Sequence, residues 1–310
     1  MSFMIAIWIP KRLVDIGLVN TAAKQGKNFV THCEFEYEAR IEAAAKEILH
    51  LNKRIVMLSG PSASGKTTTA HKLAAAIRAK GEKAQVISMD NFFKNLEDYP
   101  RLPDGTKDYE NITAVDLDTL QRCLNEVLQT GRTLLPEFDF LKENRKAEWI
   151  PLDLGDGICI VEGIHALNPQ TTAMIPGINV YKMYVGLREE YAKGGQRVIS
   201  TRDLRLARRM VRDYKFRGHS LEKTLGMWGA VCEGEDKYIK VFKSEADILL
   251  DSSFSYEINV LAGEIVPLCK KMQSGEYADQ MQRLGEAFGY CDPMPVEWVP
   301  QQSMLREFLG

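Results

Sequence analysis

Residues 54–68 read RIVMLSGPSASGKTT, and this stretch decides the fold. The first five residues form a short apolar run typical of a buried strand, and the last three open a helical pattern that runs from Lys66 to Lys80 and stops at Gly81. The loop between them, GPSASGKTT, fully matches the pattern G-x-x-x-x-G-K-[ST]. The backbone N–H groups of such a loop surround a phosphate at the positive end of the following helix. The sequence therefore predicts a nucleoside triphosphate site.

The residue types of this loop suit a triphosphate and Mg²⁺ together. Glycines at both ends allow backbone geometry that a Cβ would obstruct. Lys66 is expected to reach the β- and γ-phosphates, and the Thr67 hydroxyl to bind Mg²⁺. The predicted nucleotide contacts are Gly60, Ser62, Ala63, Ser64, Gly65, Lys66, Thr67 and Thr68.

Short apolar runs alternate with helical patterns along the chain. Strands are predicted at 54–58, 85–89, 157–161, 180–185 and 246–250, and helices at 34–50, 66–80 and 116–129. Because strands separated by helices pair in parallel, we expect an α/β fold with a doubly wound, mainly parallel five-stranded sheet. Helical segments flank this core on both sides in sequence, and residues 96–111 are expected to form a loop or irregular flap.

Composition excludes several classes of protein. The 40 Lys and Arg against 42 Asp and Glu leave a formal charge of −2, which argues against a surface devoted to nucleic acid or anionic membrane. The six cysteines form no C-x-x-C pair, so neither a disulfide framework nor a zinc site is expected. The apolar stretch Phe3–Ile9 is too short to cross a bilayer and is interpreted as a strand or an edge-packing segment. A soluble, cytoplasmic protein is predicted.

Two carboxylates follow predicted strands. Asp90 comes after the second strand and Glu162 after the third, and strand ends in a doubly wound sheet meet at the ligand site. One such carboxylate can take a proton from an acceptor hydroxyl while the other supports Mg²⁺. The chain has no N-K-x-D motif of guanine-specific GTPases, and its third strand ends in a single carboxylate instead of the acidic pair of motor ATPases.

Arginines are concentrated in RLARRMVRDYKFRG at 205–218. On a helix, Arg205, Arg208, Arg209 and Arg212 fall at i, i+3, i+4 and i+7 and share one face. Like charges at these spacings repel by about a few tenths of a kcal/mol per pair, so an anion is expected to neutralise them. We predict an arginine-rich lid helix at about 202–220 that stabilises a transferring phosphoryl group and excludes water, as in a kinase.

With these residues in place, the sequence resembles the phosphoribulokinase/uridine kinase family, and within it the bacterial uridine kinase-like nucleoside kinases. The resemblance covers about residues 54–261. The motifs that carry it are GPSASGKTT at 60–68, MDNFFK at 89–94, PEFDFLKENR at 136–145, VEGI at 161–164 and RLARRMVRDYKFRG at 205–218.

The resemblance implies a role for each matching residue. Asp90 corresponds to the aspartate that deprotonates a ribose 5′-hydroxyl, Lys66 and Arg212 act on the phosphates, and Thr67 and Glu162 manage the metal. Arg205 and Arg217 are expected at the nucleotide. The residues expected at the acceptor are Asp90, Phe93, Tyr109, Glu110, Phe138, Arg145 and Arg209.

Three departures from the family bear on the acceptor. Glu110 is one methylene longer than the usual aspartate, Glu143 stands in place of a histidine that contacts the pyrimidine, and Phe138 lacks the usual tyrosine hydroxyl. The resemblance implies ATP- and Mg²⁺-dependent phosphorylation of a nucleoside, uridine or cytidine first. A kinase for another small hydroxyl-bearing metabolite and a nucleotide-binding regulatory module without turnover remain alternatives.

The domain organisation follows from these motifs. Residues 1–50 are expected to form an N-terminal appendage, 51–265 the kinase domain, and 266–310 a C-terminal helical tail that packs on it. The tail carries no chemical signal. Assembly with further copies of the chain is left open.

Overall fold

The computed structural model describes residues 10–101, 105, 107–108, 110–139 and 142–310; the segment Phe3–Ile9, predicted as a strand or an edge-packing segment, lies outside these ranges. Its strands are β1 (Arg12–Asp15), β2 (Ile55–Ser59), β3 (Ala84–Ser88), β4 (Arg132–Leu135), β5 (Phe138–Asp139), β6 (Asn144–Arg145), β7 (Ile150–Asp153), β8 (Ile158–Glu162), β9 (Val180–Gly186), β10 (Glu189–Lys193), β11 (Gln196–Ile199) and β12 (Ile248–Asp251). Its helices are α1 (Ile16–Ala23), α2 (Lys27–His50), α3 (Lys66–Arg78), α4 (Leu117–Thr130), α5 (Thr201–Phe216), α6 (Leu221–Gly234), α7 (Glu257–Lys270), α8 (Ala278–Phe288) and α9 (Arg306–Leu309).

The central sheet has five parallel strands in the order β12-β9-β2-β8-β3. This confirms the predicted doubly wound α/β fold. All five residues of β2 are buried, since Val56 and Leu58 face one apolar core and Ile55 and Met57 face the other. The register places Ser88 of β3 beside Glu162 of β8, so the strand ends that carry the predicted carboxylates meet at one edge.

The segments before and after the predicted kinase domain share its core. Helix α2 packs along α3, and the hydroxyls of Tyr37 and Thr69 lie 2.7 Å apart in a buried hydrogen bond. Strand β1 pairs in parallel with β10. In the tail, α8 packs on α7 and α9 packs on α5, with Phe308 fully buried.

Helix α5 is the arginine-rich helix. Ser200 and Asp203 form a capping box at its start, which satisfies backbone N–H groups of the first turn. Its apolar residues, including Leu204, Ala207 and Met210, belong to the main core. The helix therefore lies between the core on one side and the phosphate loop on the other.

Two further features concern the thiols and the hydropathy of the helices. All six cysteines are free thiols. Within the described ranges, no helix has the length and apolar character needed to cross a membrane.

Candidate active site

The phosphate loop joins β2 to α3. A Cβ on Gly60 would lie 2.1 Å from the Val185 carbonyl oxygen, so the close approach of the loop to β9 requires glycine there. Gly65 has φ +84° and immediately precedes α3, and Ala63 also adopts the left-handed conformation, with φ +59°. Left-handed residues in such loops turn N–H groups toward one point, and the first turn of α3 adds its own free N–H groups. The loop is built to hold an anion.

The loop forms one wall of a cavity of about 410 Å³. The ends of β3 and β8 contribute carboxylates, the segment after β3 contributes aromatic side chains, and α5 contributes cations. The predicted site residues among its lining are Ser62, Ala63, Gly65, Lys66, Thr67, Asp90, Phe93, Glu110, Phe138, Glu162, Arg209, Arg212 and Arg217.

Lys66 lies among three carboxylates of this cavity. Its ammonium donates to the Pro61 carbonyl at 3.1 Å. Burial lowers the pKa of Lys66, and the charges of Glu162, Glu307 and Asp90 oppose that shift. Four ionisable groups that share a cavity of this size set one another's charge state, as in sites that bind and transfer charged groups.

The two strand-end carboxylates differ in exposure. Glu162 is buried and accepts a hydrogen bond of 3.1 Å from the Ser88 hydroxyl. Asp90 is exposed to the cavity, but protein surrounds the cavity on most sides, and the resulting desolvation raises the pKa of Asp90 while Lys66 opposes it. Desolvation also raises the pKa of Glu162. Both groups therefore hold a negative charge at a cost that a nearby cation would reduce.

The donor set fits Mg²⁺. Mg²⁺ prefers oxygen ligands and is usually held by one or two carboxylates together with phosphate oxygens and waters. The Thr67 hydroxyl and the Glu162 and Asp90 carboxylates offer that set next to the phosphate loop. Across the described residues, no group of three or more His, Cys, Asp or Glu could hold a metal ion.

Three arginines of the cavity depend on one carboxylate. Asp213 is fully buried, and its oxygens lie 2.8 Å from Arg212, 3.3 Å from Arg209 and 3.7 Å from Arg217. Arg209 also donates to the Ser62 hydroxyl of the phosphate loop at 2.9 Å. On this side of the cavity three cations share one carboxylate, which suits a phosphate group.

The far wall of the cavity is aromatic and acidic. The Phe93 ring centroid lies 5.8 Å from that of Tyr99 and 6.0 Å from that of Phe138. Glu110 packs against Gly234, where a Cβ would lie 2.9 Å from the Glu110 side chain. Burial raises the pKa of Glu110, and Lys66 and Arg209 oppose the shift. Glu143 is also part of the lining. A flat ring and hydroxyl groups could be held together on this wall.

Two predicted arginines lie elsewhere. Arg145 is outside the cavity lining: it pairs with Asp116 at 3.0 Å and donates to the Phe93 carbonyl at 3.1 Å, which ties β6 to the segment after β3. Arg205 donates to the Ser62 carbonyl at 2.9 Å and pairs with Glu235 at 2.5 Å, so it braces the phosphate loop from outside the cavity. Their contacts with a ligand stay predictions.

The expectation that four arginines of α5 share one anion is wrong for Arg208. This side chain is fully buried and forms two hydrogen bonds of 2.7 and 2.9 Å with Glu257 of α7. Arg208 can lie in the core because the Glu257 carboxylate neutralises its charge there. Of the remaining predicted residues, Gly60, Ser64 and Thr68 belong to the loop but are not part of the cavity lining, and Tyr109 is outside the described residues.

The tail also contributes to the cavity, which no pattern in the sequence predicts. Glu307 of α9 lines the cavity, and its carboxylate accepts a hydrogen bond of 2.7 Å from the Thr68 hydroxyl. The Met304 side chain covers Gly65 so closely that a Cβ on Gly65 would lie 2.4 Å from its sulfur. Residues 303–310 show no motif or periodicity that points to the phosphate loop, so no sequence signal could have revealed this contact.

Known proteins resemble this chain in sequence. A uridine kinase of Lactobacillus helveticus is 29% identical over 197 residues, covering 63% of this chain and 85% of the relative. A uridine kinase of Saccharomyces cerevisiae is 26% identical over 258 residues, covering 82% of this chain, and the chain spans 46% of that relative's length. A solved structure of a possible uridine kinase from Bacillus stearothermophilus is 18% identical, with a TM-score of 0.49, and covers 70% of this chain and 100% of the solved one.

The family model carries the assignment. The model described as the phosphoribulokinase/uridine kinase family matches residues 55–258, a stretch that begins at β2 and ends in the first turn of α7. It includes the phosphate loop, both strand-end carboxylates and the arginines of α5. The chain belongs to the phosphoribulokinase/uridine kinase family of P-loop kinases.

Proposed function

We propose that the protein transfers the γ-phosphoryl group of ATP to the 5′-hydroxyl of a nucleoside, uridine or cytidine first, in a Mg²⁺-dependent reaction. The observation that carries the proposal is the single cavity in which a triphosphate-binding loop, a carboxylate and an aromatic, acidic wall meet. The relatives named as uridine kinases support the class of acceptor. The unpaired thiols are consistent with action in the cytoplasm.

The phosphates occupy the loop side of the cavity. Lys66 and the loop N–H groups bind the β- and γ-phosphates. Arg209 and Arg212 face them from α5, and Arg217 faces them from the residue that follows it. Thr67 and Glu162 would hold Mg²⁺, which neutralises charge on the phosphates when bound. The surplus positive charge on α5 stabilises the charge that develops on the transferring group, since it is fixed in place before the reaction.

Asp90 is the general base. It accepts the proton of the 5′-hydroxyl as the oxygen of that group bonds to the γ-phosphorus. The bond from the γ-phosphorus to the bridging oxygen breaks, ADP leaves, and Asp90 later releases the proton to water. A raised pKa makes Asp90 a better proton acceptor near neutral pH than an ordinary aspartate.

The acceptor lies against the far wall. The Glu110 carboxylate accepts hydrogen bonds from the ribose 2′- and 3′-hydroxyls, and Phe93 and Phe138 pack against the sugar and base. An acceptor packed against this wall excludes water, which would otherwise take the phosphoryl group.

A second candidate acceptor is a small polyhydroxylated metabolite. Phe138 has no hydroxyl to read a base, and Glu143 presents a carboxylate where the family has a histidine that contacts the pyrimidine. Polar contacts decide between similar substrates, because a site that lacks the matching donor cannot select the group that needs it. Two glutamates on one wall favour an acceptor rich in hydroxyl groups.

A panel assay tests the proposal. Purified protein is incubated with ATP and Mg²⁺ and with uridine, cytidine, purine nucleosides, sugars and polyols separately, and ADP and phosphorylated product are both measured. A Lys66→Met variant controls for contaminating kinases. We expect turnover with uridine or cytidine. Turnover with only a sugar or polyol would establish the second candidate, and ATP binding without transfer to any acceptor would indicate the regulatory module.

A further inference from the structure

A second cavity, of about 300 Å³, lies beside the phosphate loop and outside the candidate active site. The start of α5, the β10–β11 hairpin and the segment before β12 form its walls, together with Pro61 of the loop. Its lining contains seven cations, namely Lys11, Arg188, Arg197, Arg202, Arg205, Lys240 and Lys243, and two carboxylates, Glu190 and Glu235.

Arg188 is the central observation. Its side chain is buried, with 6% of the residue exposed, and its Nη2 atom has no hydrogen-bond partner among the described residues. Its backbone N–H is fixed by the Ser253 hydroxyl at 2.7 Å and the Asp251 carboxylate at 3.1 Å. A buried guanidinium with an unfilled donor is costly, and such a group is usually matched by an anion.

The other cations exceed the carboxylates available to them. Glu190 pairs with both Lys11 and Arg197, at 2.7 and 2.9 Å. Glu235 pairs with both Arg205 and Lys240, at 2.5 and 2.9 Å. Asp236 pairs with both Arg202 and Lys240, at 2.6 and 2.9 Å. Three carboxylates shared among five cations leave a net positive charge in the cavity.

Lys243 lies among these cations in the lining of the cavity. Burial, and then repulsion by Arg188, Lys11 and Lys240, lowers the pKa of Lys243 to about 8. The ammonium also lies 5.2 Å from the centroid of the Tyr184 ring. Repulsion by the neighbouring cations adds to the larger effect of burial, and an anion among them would raise the pKa of Lys243 again.

We propose that this cavity binds the phosphate group of a small anion, with Arg188 as its main ligand. The planar guanidinium offers paired donors that match phosphate oxygens, and the surrounding lysines and arginines supply further charge. The bound group would lie against the back of the phosphate loop, since Pro61 forms part of the wall and Arg205 donates to the Ser62 carbonyl. The site is separate from the cavity that performs the proposed reaction and does not depend on that reaction.

Isothermal titration with inorganic phosphate tests the proposal. We expect the wild-type chain to bind two equivalents, one at the phosphate loop and one beside Arg188. Lys66→Met should remove the first and Arg188→Met the second, with affinity at the second site weakened about tenfold or more, as expected for a lost charge-assisted hydrogen bond. Because each variant retains the other site, retained binding also shows that the variant is folded.

Controls separate the sources of the phosphate and the effect of charge. Lys215 of α5 lines neither cavity and pairs with Glu264. Lys215→Met therefore removes one positive charge from the same helix and should leave both sites intact. Tighter binding of ribose 5-phosphate than of inorganic phosphate to the Lys66→Met variant would identify a phosphorylated metabolite, and the reverse would identify free phosphate. Two undiminished sites in Arg188→Met, or no binding to Lys66→Met, would overturn the proposal.

Discussion

The arginines of α5 have different surroundings and different carboxylate partners. Arg208 points into the core, where it pairs with Glu257 and also donates to the Ala63 carbonyl of the phosphate loop at 3.3 Å. Arg209 and Arg212 line the cavity and share Asp213. Arginines at neighbouring positions of one helix therefore have different roles: one stabilises the core, and the others line the cavity. The difference lies in the partners: Arg208 has a carboxylate to itself, and the arginines that face the cavity do not.

The effect of a cluster of cations depends on the number of carboxylates that they contact. A cation that is matched one to one inside the core contributes little positive potential outside it. Cations that outnumber their carboxylates leave potential for a ligand.

Arg208→Met should destabilise the protein by about 3–5 kcal/mol, because it leaves the buried Glu257 carboxylate unpaired. Chemical denaturation measures the change, and adding Glu257→Met to the same chain should recover much of it. A loss of less than about 1 kcal/mol would mean that the pair does not hold α5 on α7.

Arg212→Gln should behave in the opposite way. The loss of a fixed cation facing the phosphates should reduce kcat by about 100-fold to 1,000-fold. Asp213 keeps Arg209 and Arg217 as neighbours, so stability should change by less than about 1 kcal/mol. Steady-state kinetics and denaturation on the same preparation check both expectations. Unchanged kcat would place Arg212 with Arg208 as a structural residue.

Glu307→Gln should strengthen nucleotide binding several-fold, about 1 kcal/mol, because a carboxylate beside Lys66 and Thr68 repels phosphates. The amide keeps an oxygen that can accept the Thr68 hydrogen bond. Titration with ATP measures the affinity, with the exposed Glu297→Gln as a control of equal charge change. Weaker binding in Glu307→Gln would mean that Glu307 supports the nucleotide, for example through a metal.

Changes of pH should have the smallest effect near neutrality. Burial raises the pKa of Asp90 above the ordinary value of about 3.9, so a fraction of the base is protonated at a pH where a normal aspartate is fully ionised. Activity should therefore fall as the pH drops through this raised pKa. The profile of kcat/KM against pH gives the position of the acid limb, and an activity that is flat down to about pH 4 would contradict the shift.

The sequence was sufficient for the central fold. The predicted strand at 54–58 is observed at Ile55–Ser59, and the predicted helix at 66–80 at Lys66–Arg78, because hydrophobic runs and glycine stops are local signals. The β10–β11 hairpin was missed, although Gly194 and Gly195 both have positive φ, as in a two-residue hairpin turn that G-G pairs favour.

Long-range partners could not be predicted in the same way. Arg208 and Glu257 are 49 positions apart, and Thr68 and Glu307 are 239 apart. Helical spacing placed four arginines on one face, but only the packing of α5 against α7 determines that Arg208 is the one that pairs with Glu257. The same limit applies to Glu307, whose role depends entirely on where the tail folds back.

The most direct test of the central claim is phosphoryl transfer by Asp90→Asn. Single-turnover transfer from ATP to uridine or cytidine, whichever the wild type uses, is measured beside the affinity for ATP. If Asp90 is the general base at the junction of loop and acceptor wall, transfer should fall by about 100-fold to 10,000-fold while ATP affinity stays nearly unchanged. A transfer rate equal to that of the wild type would contradict the assignment of the base and of the reaction centre.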